Sequence, residues 1–441
     1  MKLKALDAVA ARTRSPINWF LGICLAAFLA IISASAAVPR PSAEELNAAE
    51  KWVVERVTAG EEADLSKQFP EEKDRKLSAH FLEDLLMGPL LHRHGVRITR
   101  AIIDEPIELE NAQIPCEVGF LHCQFNKKVT FARATFAAGL MFAFSRFKED
   151  ANFDGMKVGG DASFSIAVFE GSVNFTGADI AGNFYATGAK FGRAIATFYR
   201  MKVGGNASFA GAVFEGQTSF AEADIAGDFG AEGAKFHIRA SFGHVKVGGG
   251  GSFTRGSFEG AVDLRYAEFG SLDLSGASWP KVPAQFQIQG MSYKTILAAP
   301  REPESHEKLL KLVSQAAHSA DVYSHLEEYF LRQGYRGDAD QAFIAGKRRE
   351  RKERLYGFGW LGSWLLDGLV CYGRRPWQAG IPCAVLVALG CVLFSPKKME
   401  PQNPEDMPRV YNRFWYSLGL FLPFVDLQSN KVWKPKLIRL F

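Results

Sequence analysis

Phenylalanine falls on a beat of eleven residues through the middle of this chain. MKVGGDASFSIAVFEGSVNF begins at Met156, and MKVGGNASFAGAVFEGQTSF begins at Met201, 45 residues later. Around the first copy the large apolar residues Phe153, Val158, Phe164, Phe169, Phe175 and Ile180 stand alternately five and six apart. Carried backwards, the alternation meets Phe147, Phe142, Phe136, Phe131, Phe125, Phe120, Ile114, Leu109, Ile103 and Ile98. Carried forwards, it takes one step of seven from Phe191 to Phe198. It then resumes through Val203, Phe209, Phe214, Phe220 and Ile225, and on from Phe236 to Phe269. The single extra residue accounts for the 45.

Apolar stops at five and six do not keep the three-and-four spacing of a helical face. Fixed-period self-similarity implies a solenoid, in which each unit buries its apolar side only against stacked neighbours. Two residues before many stops sits an alanine, among them Ala151, Ala162, Ala167, Ala178, Ala207 and Ala212. Residues two apart on a strand face the same way, so each side offers one large and one small inward residue. IAGNFYATGAKF and IAGDFGAEGAKF test this register. Both place alanine, Ala186 and Ala231, at the large stop, and both place phenylalanine two earlier, at Phe184 and Phe229. Large and small have traded places, which conserves core volume.

This large-plus-small spacing, seen in GAVF and GAKF, resembles the pentapeptide-repeat family, whose units read A(D/N)LXX. The resemblance covers about 170 residues, from Ile98 to Phe269, and departs from the family in that every second unit has six residues. It implies a right-handed quadrilateral β-helix; with the flanking segments added, the expected fold class is mainly β, with flanking α-helices and a C-terminal transmembrane region. With four sides, one coil takes 22 residues and the stops sort into columns. One is an aromatic ladder of Ile103, Phe125, Phe147, Phe169, Phe191, Phe214, Phe236 and Phe258, and another is the mostly β-branched row from Ile114 to Phe269. About eight coils at roughly 4.8 Å per strand make a rod on the order of 38 Å long. Its open ends need caps.

The expected organisation is a signal peptide or N-terminal anchor at 1–36, a helical cap at 43–95, the β-helix at 96–280, a helical linker at 302–355 and a membrane-associated region at 356–441. The first segment has a basic start, an apolar run and Ala34-Ser35-Ala36 as an A-x-A-like cleavage site. In the cap, Ser42 with Glu45 three residues on reads as a capping box for a helix that ends at Gly60. LYGFGWLGSWLLDGLVCYG, interrupted by Asp367, reads as an interfacial helix with Trp360, Trp364 and Tyr372 at headgroup level. WQAGIPCAVLVALGCVLF, uncharged over 377–394, is the span. The stretch after it resembles the pore segment of two-span ion channels, with Tyr416, Pro423 and Asp426 in a re-entrant element, although the T-V-G-Y-G filter is absent. The whole chain resembles bacterial membrane-associated pentapeptide-repeat proteins, in which a last span follows this stretch. The sequence stops at Phe441, so either a truncated chain or a missing final helix is expected.

Chemistry is thinly represented. KVGGDASF, KVGGNASF and KVGGGGSF lack the G-K-S/T of a phosphate loop and recur at one corner of the solenoid. His318 and His325 with Glu327 and Glu328, and His92 with His94, lack metal-ligand spacing. There is no C-x-x-C, and the inward Cys123 and outward Cys116 are not expected to form a disulfide. Between Cys116 and Gln289 stand 16 acidic and 16 basic side chains, a balance against both a DNA mimic and a nucleic-acid binder. No cofactor, metal or enzymatic activity is expected.

The function implied is a membrane-anchored scaffold at the bacterial inner membrane. Its partners are membrane lipid and a protein or the cell envelope, contacted by outward residues such as Glu170, Glu215, Lys190 and Lys235. KRRERKER supplies Arg348, Arg349, Arg351 and Arg354 for anionic headgroups. Export makes the rod periplasmic but sets these arginines against the positive-inside rule, so a cytoplasmic rod is the alternative. A channel-like or transport-associated subunit is the alternative function; it requires a homo-oligomer, because one span cannot enclose a pore.

Overall fold

The computed structural model describes residues 46–88, 94–297, 305–402, 411–421 and 432–436. The segment read as signal peptide or anchor, His92, Pro423 and Asp426 lie outside these residues.

The central region is a parallel β-solenoid with four faces. Most strands are two residues long, and each pairs with the strand about 22 residues before and after it. The first face runs from 96–99 through 118–121, 140–141, 162–163 and 184–185. The second stacks Ile103, Phe125, Phe147, Phe169, Phe191, Phe214, Phe236 and Phe258 in direct register. The third holds nine strands, from 107–108 to 286–287, and so defines about nine turns. The fourth stacks Ile114, Phe136, Val158, Ile180, Val203, Ile225, Val247 and Phe269. The rod runs past the expected boundary at 280, because Glu268–Asp273 pairs with Ser292–Leu297 across the two-proline interruption.

The register is the one read from the beat. Every stop from Ile98 to Phe269 is buried, as are the small residues two before them. On the second face the rings stack 4.6–5.3 Å apart and within 10° of parallel. Trp279 and Phe286 extend this aromatic stack beyond Phe258, each step 4.7 Å. The exchanged pairs hold: Phe184 sits between Ala162 and Ala207 on the first face, and Phe184, Ala186, Phe229 and Ala231 are all buried.

The alternation of five and six has a backbone cause. Every second corner is a β-turn closed by a bond such as Met156 N–H to Phe153 carbonyl, with its third residue at positive φ, the geometry of a type II turn. The positive-φ residues step by eleven through Arg133, Phe144, Gly155, Ile166, Gly177 and Gly188. Apart from Gly95 at the entry to the first coil, the other two corners use no positive φ among the described residues, and the KVGG glycines belong to one of them. There the reason for glycine is proximity: a Cβ on Gly159 would lie 2.3 Å from the Ala137 carbonyl oxygen of the coil before, and one on Gly204 2.3 Å from that of Ala181. Beside them runs a ladder in which each side chain accepts from the next coil's backbone: Asp161 from Asn183, Asn183 from Asn206, Asn206 from Asp228, and Asp228 from Gly250. The extra residue of the 45 is taken up at the corner 192–195, between the second and third faces. Cys116 is buried, not outward, because its corner lies beneath the backbone of Val96 in the preceding coil.

Both ends are covered. Ala63–Asp64 pairs with Ile98 and Thr99, and helices Ala48–Thr58 and Ala79–Met87 pack on the first coil. In the first of these Asn47 is the N-cap and Glu50 completes the capping box, while the Ser42 and Glu45 of the sequence reading lie outside the described residues. At the other end, helices Ser305–Gln315, Ala320–Arg332 and Arg336–Arg354 follow. Leu309, Val313, Val322 and Leu326 close over Leu264, Phe286 and Ile296 of the last turns.

Candidate membrane-facing region

Helix Gly357–Val370 carries few residues that the rest of the chain can cover. Phe358, Trp360, Leu361, Trp364, Leu365, Leu366 and Leu369 are all exposed. After a turn at Cys371–Gly373, the helical stretch Pro376–Leu393 is 18 residues long, uncharged, and only 11% buried; by length and composition it can cross a membrane. Helix Arg413–Phe421 packs against it: a Cβ on Gly390 would meet the Ser417 hydroxyl at 2.7 Å, so glycine there permits close approach. Tyr416 is buried in this contact, edge-on to Phe394 at 5.2 Å. A short antiparallel pair, Met399–Pro401 with Trp433–Pro435, follows this stretch.

The basic run is organised by Asp367, which in the sequence stands only as an interruption. Arg348 and Arg351 both donate to its carboxylate, at 2.9 Å and 3.0 Å, and tie helix Arg336–Arg354 to helix Gly357–Val370. Burial pushes the Asp367 carboxyl up, but these two guanidinium groups outweigh it and hold it below the usual carboxylate value. Arg351 also reaches the Tyr372 hydroxyl at 3.2 Å. Arg349 turns inward, donating to the carbonyls of Ser314 and Ala316 and to Glu353. Arg374 joins Glu327 and Asp340 and lies 4.3 Å from the Phe343 ring centre. Of the four arginines named as headgroup contacts, three are thus engaged with the protein and Arg354 stands exposed.

The histidines are separated in role. His325 donates from Nδ1 to the Met291 carbonyl at 3.2 Å. Burial holds the His318 imidazole below its ordinary pKa, with Glu353 opposing from 3.9 Å. Among the described residues no three His, Cys, Asp or Glu side chains converge as metal ligands.

On the solenoid, the strands bring Lys190 and Lys235 to the outside of the second face, and Glu170 and Glu215 to the corner after it. Both glutamates are paired along the rod, Glu170 with Arg146 at 2.8 Å and Glu215 with Arg193 at 3.8 Å. The fourth face carries a different outward row: Lys157, Asp179, Lys202, Asp224, Lys246 and Glu268, one per coil. No family model, curated protein or solved structure matches the chain.

Proposed function

We propose that the protein is a non-enzymatic scaffold, a rigid β-solenoid held at a membrane by its C-terminal helices and offering its outward faces to a protein or envelope partner. The observation that carries this reading is the continuous exposure of large apolar side chains from Phe358 to Leu393, far more than a soluble surface leaves uncovered. Trp360 and Trp364 on the shorter helix suit the headgroup level, and the uncharged stretch beyond suits the hydrocarbon. The likeness of the repeat to the pentapeptide-repeat family and of the chain to its bacterial membrane-associated members agrees with this placement. On this reading the membrane is the bacterial inner membrane and the solenoid is periplasmic, with the cytoplasmic face as the alternative.

The test is reconstitution of the full chain into liposomes. Flotation that survives alkaline carbonate in the wild type and is lost on Leu386→Asp with Leu389→Asp is the expected result. A chain that stays monodisperse in buffer without detergent and does not float overturns the reading. Sidedness follows from an Arg193→Cys probe, at a corner whose native side chain is 92% exposed, in a background without other reactive thiols. Labelling of intact cells by an impermeant reagent places the rod outside; labelling only after lysis places it inside.

A further inference from the structure

Along the rod the outward residues of the fourth face read Gln113, Thr135, Lys157, Asp179, Lys202, Asp224, Lys246, Glu268 and Ser292, each beside the next in the strand register. Six charges alternate in sign, bounded by neutral residues at both ends. All six are exposed, and among the described residues none closes an ion pair with a neighbouring rung. At the neighbouring corner, by contrast, charges close ion pairs along the rod, Glu170 with Arg146 of the second face and Glu215 with Arg193.

An alternating row with an even number of rungs is complementary to its own reverse. We propose that the fourth face is the docking surface for a second copy of this chain, with the two rods antiparallel about a two-fold axis between the Lys202 and Asp224 rungs. Lys202 then meets Asp224 of the second copy, Asp179 meets Lys246, and Lys157 meets Glu268, each pair occurring twice as an isologous interface requires. A parallel, in-register arrangement sets like charge on like charge at every rung and is repelled.

The lanes on either side fit the same axis. On one side, a two-fold within the plane of the face sets Gly155 against Tyr266 and Gly177 against His244 of the second copy, so bulk meets glycine. The same lane brings Arg200 and Glu222, joined within each chain at 2.7 Å, against their own reverse, so cation again meets anion. On the other side lie only Gly159, Ala181, Gly204, Ala226, Gly248 and Gly270, which let the two backbones approach. The charged rungs span about 24 Å, five steps of roughly 4.8 Å. One narrow face of that length falls short of the ~800 Å² per partner of a standard interface, so the pair is concentration-dependent and weakened by salt. The pairing stands apart from the membrane reading, since it needs only the solenoid face. Taken together, the two put the apolar helices of the pair at opposite ends of the assembly.

The test is sedimentation equilibrium of the detergent-solubilised full chain at low and high salt, with Lys202→Glu, Asp224→Lys and the double variant. The wild type is expected to be dimeric at low salt and to dissociate as salt rises. Each single reversal is expected to weaken the dimer at least tenfold, because two opposed pairs become two repulsive ones. The double variant is expected to restore it. Within one chain the double variant sets two carboxylates side by side, at positions 179 and 202, and two cations side by side, at positions 224 and 246. Recovery therefore reports pairing between chains and not repair of a ladder within one. Matching circular dichroism melts confirm that the variants fold. A monomeric wild type at low salt, single reversals without effect on mass, or a double variant that stays monomeric overturns the proposal.

Discussion

Phe184 carries the sharpest stability prediction, because it breaks the beat and is buried none the less. Its side chain is 0% exposed, and its ring lies 5.3–6.0 Å from those of Phe164, Phe175, Phe198 and Phe209. Its strand neighbours along the first face are Ala162 and Ala207, and Ala186 occupies the other inward place on its own side. Truncation to alanine therefore leaves a void lined by those four rings, with only alanines on its own face and side to fill it. Loss of transfer free energy is about 1.5–3 kcal/mol for a fully buried Phe. A residual cavity of about 60 Å³ adds about 1.5 kcal/mol at roughly 24 cal/mol per Å³. The expected cost of Phe184→Ala is thus about 3–4.5 kcal/mol, read by urea denaturation, with faster amide hydrogen exchange in the coils containing residues 162 to 209. Adding Ala186→Phe returns the large residue to the beat and is expected to recover a large part of the loss. A cost below about 0.5 kcal/mol, the range of surface changes, refutes the assigned packing. Failure of the double variant to recover any stability refutes exchange of volume as the reason for the pattern.

Other outcomes follow from corners and buried polar groups. Ile166 is β-branched, 49% exposed and at φ 58°. Ile166→Gly is expected to stabilise by about 0.5–1 kcal/mol, the left-handed strain relieved exceeding the added chain entropy; a measured loss of stability contradicts the turn assignment. Burial raises the Asp263 carboxyl, but hydrogen bonds from Arg265 dominate and leave its pKa lowered. A carboxyl whose folded pKa is below its unfolded one stabilises fully above the unfolded value, near 3.8, and that contribution is lost as pH falls through the folded value. Asp263→Asn is accordingly expected to lower stability at about pH 7 and to flatten its acid dependence, and an unchanged urea midpoint at both ends of the pH range counts against the ion pair. Burial pushes the Cys123 thiol up to about 12, so alkylation at mildly alkaline pH is expected to reach it only after unfolding. Native-state labelling as fast as at the half-buried Cys383, followed by mass spectrometry, contradicts its burial.

The faces of the solenoid were legible because side-chain identity there is set by burial. A position that points inward must be large or small as its neighbours leave room, and Phe184 with Ala186 was readable on that ground alone. Corners were half legible. The glycines of KVGG marked a corner correctly, yet their cause is contact with the coil before, while the positive-φ places are filled as often by residues such as Arg200, Glu222 or Tyr266 as by glycine and give no compositional sign. Cys116 was misplaced for the same reason, since simple alternation does not continue around a corner. In the C-terminal region the apolar runs were visible, but the roles of the arginines were not. Arg348 and Arg351 find Asp367 across a helix–helix turn, and Arg349 reaches carbonyls 33 to 36 residues away, partners that no local spacing encodes.

The corner at 192–195 shows how the molecule keeps count. One added residue there leaves the strands on either side paired as elsewhere, 196–197 with 173–174 before and with 218–219 after. The chain registers sides, not residues. Small insertions at corners are therefore silent to the core, while gain or loss of a whole turn changes the rod by a single step of about 4.8 Å and leaves both capped ends untouched. Such a rod is a ruler graduated in turns: its length can be reset by duplication or deletion of one unit, and a displayed segment can be grafted at a corner without recalibrating the rest.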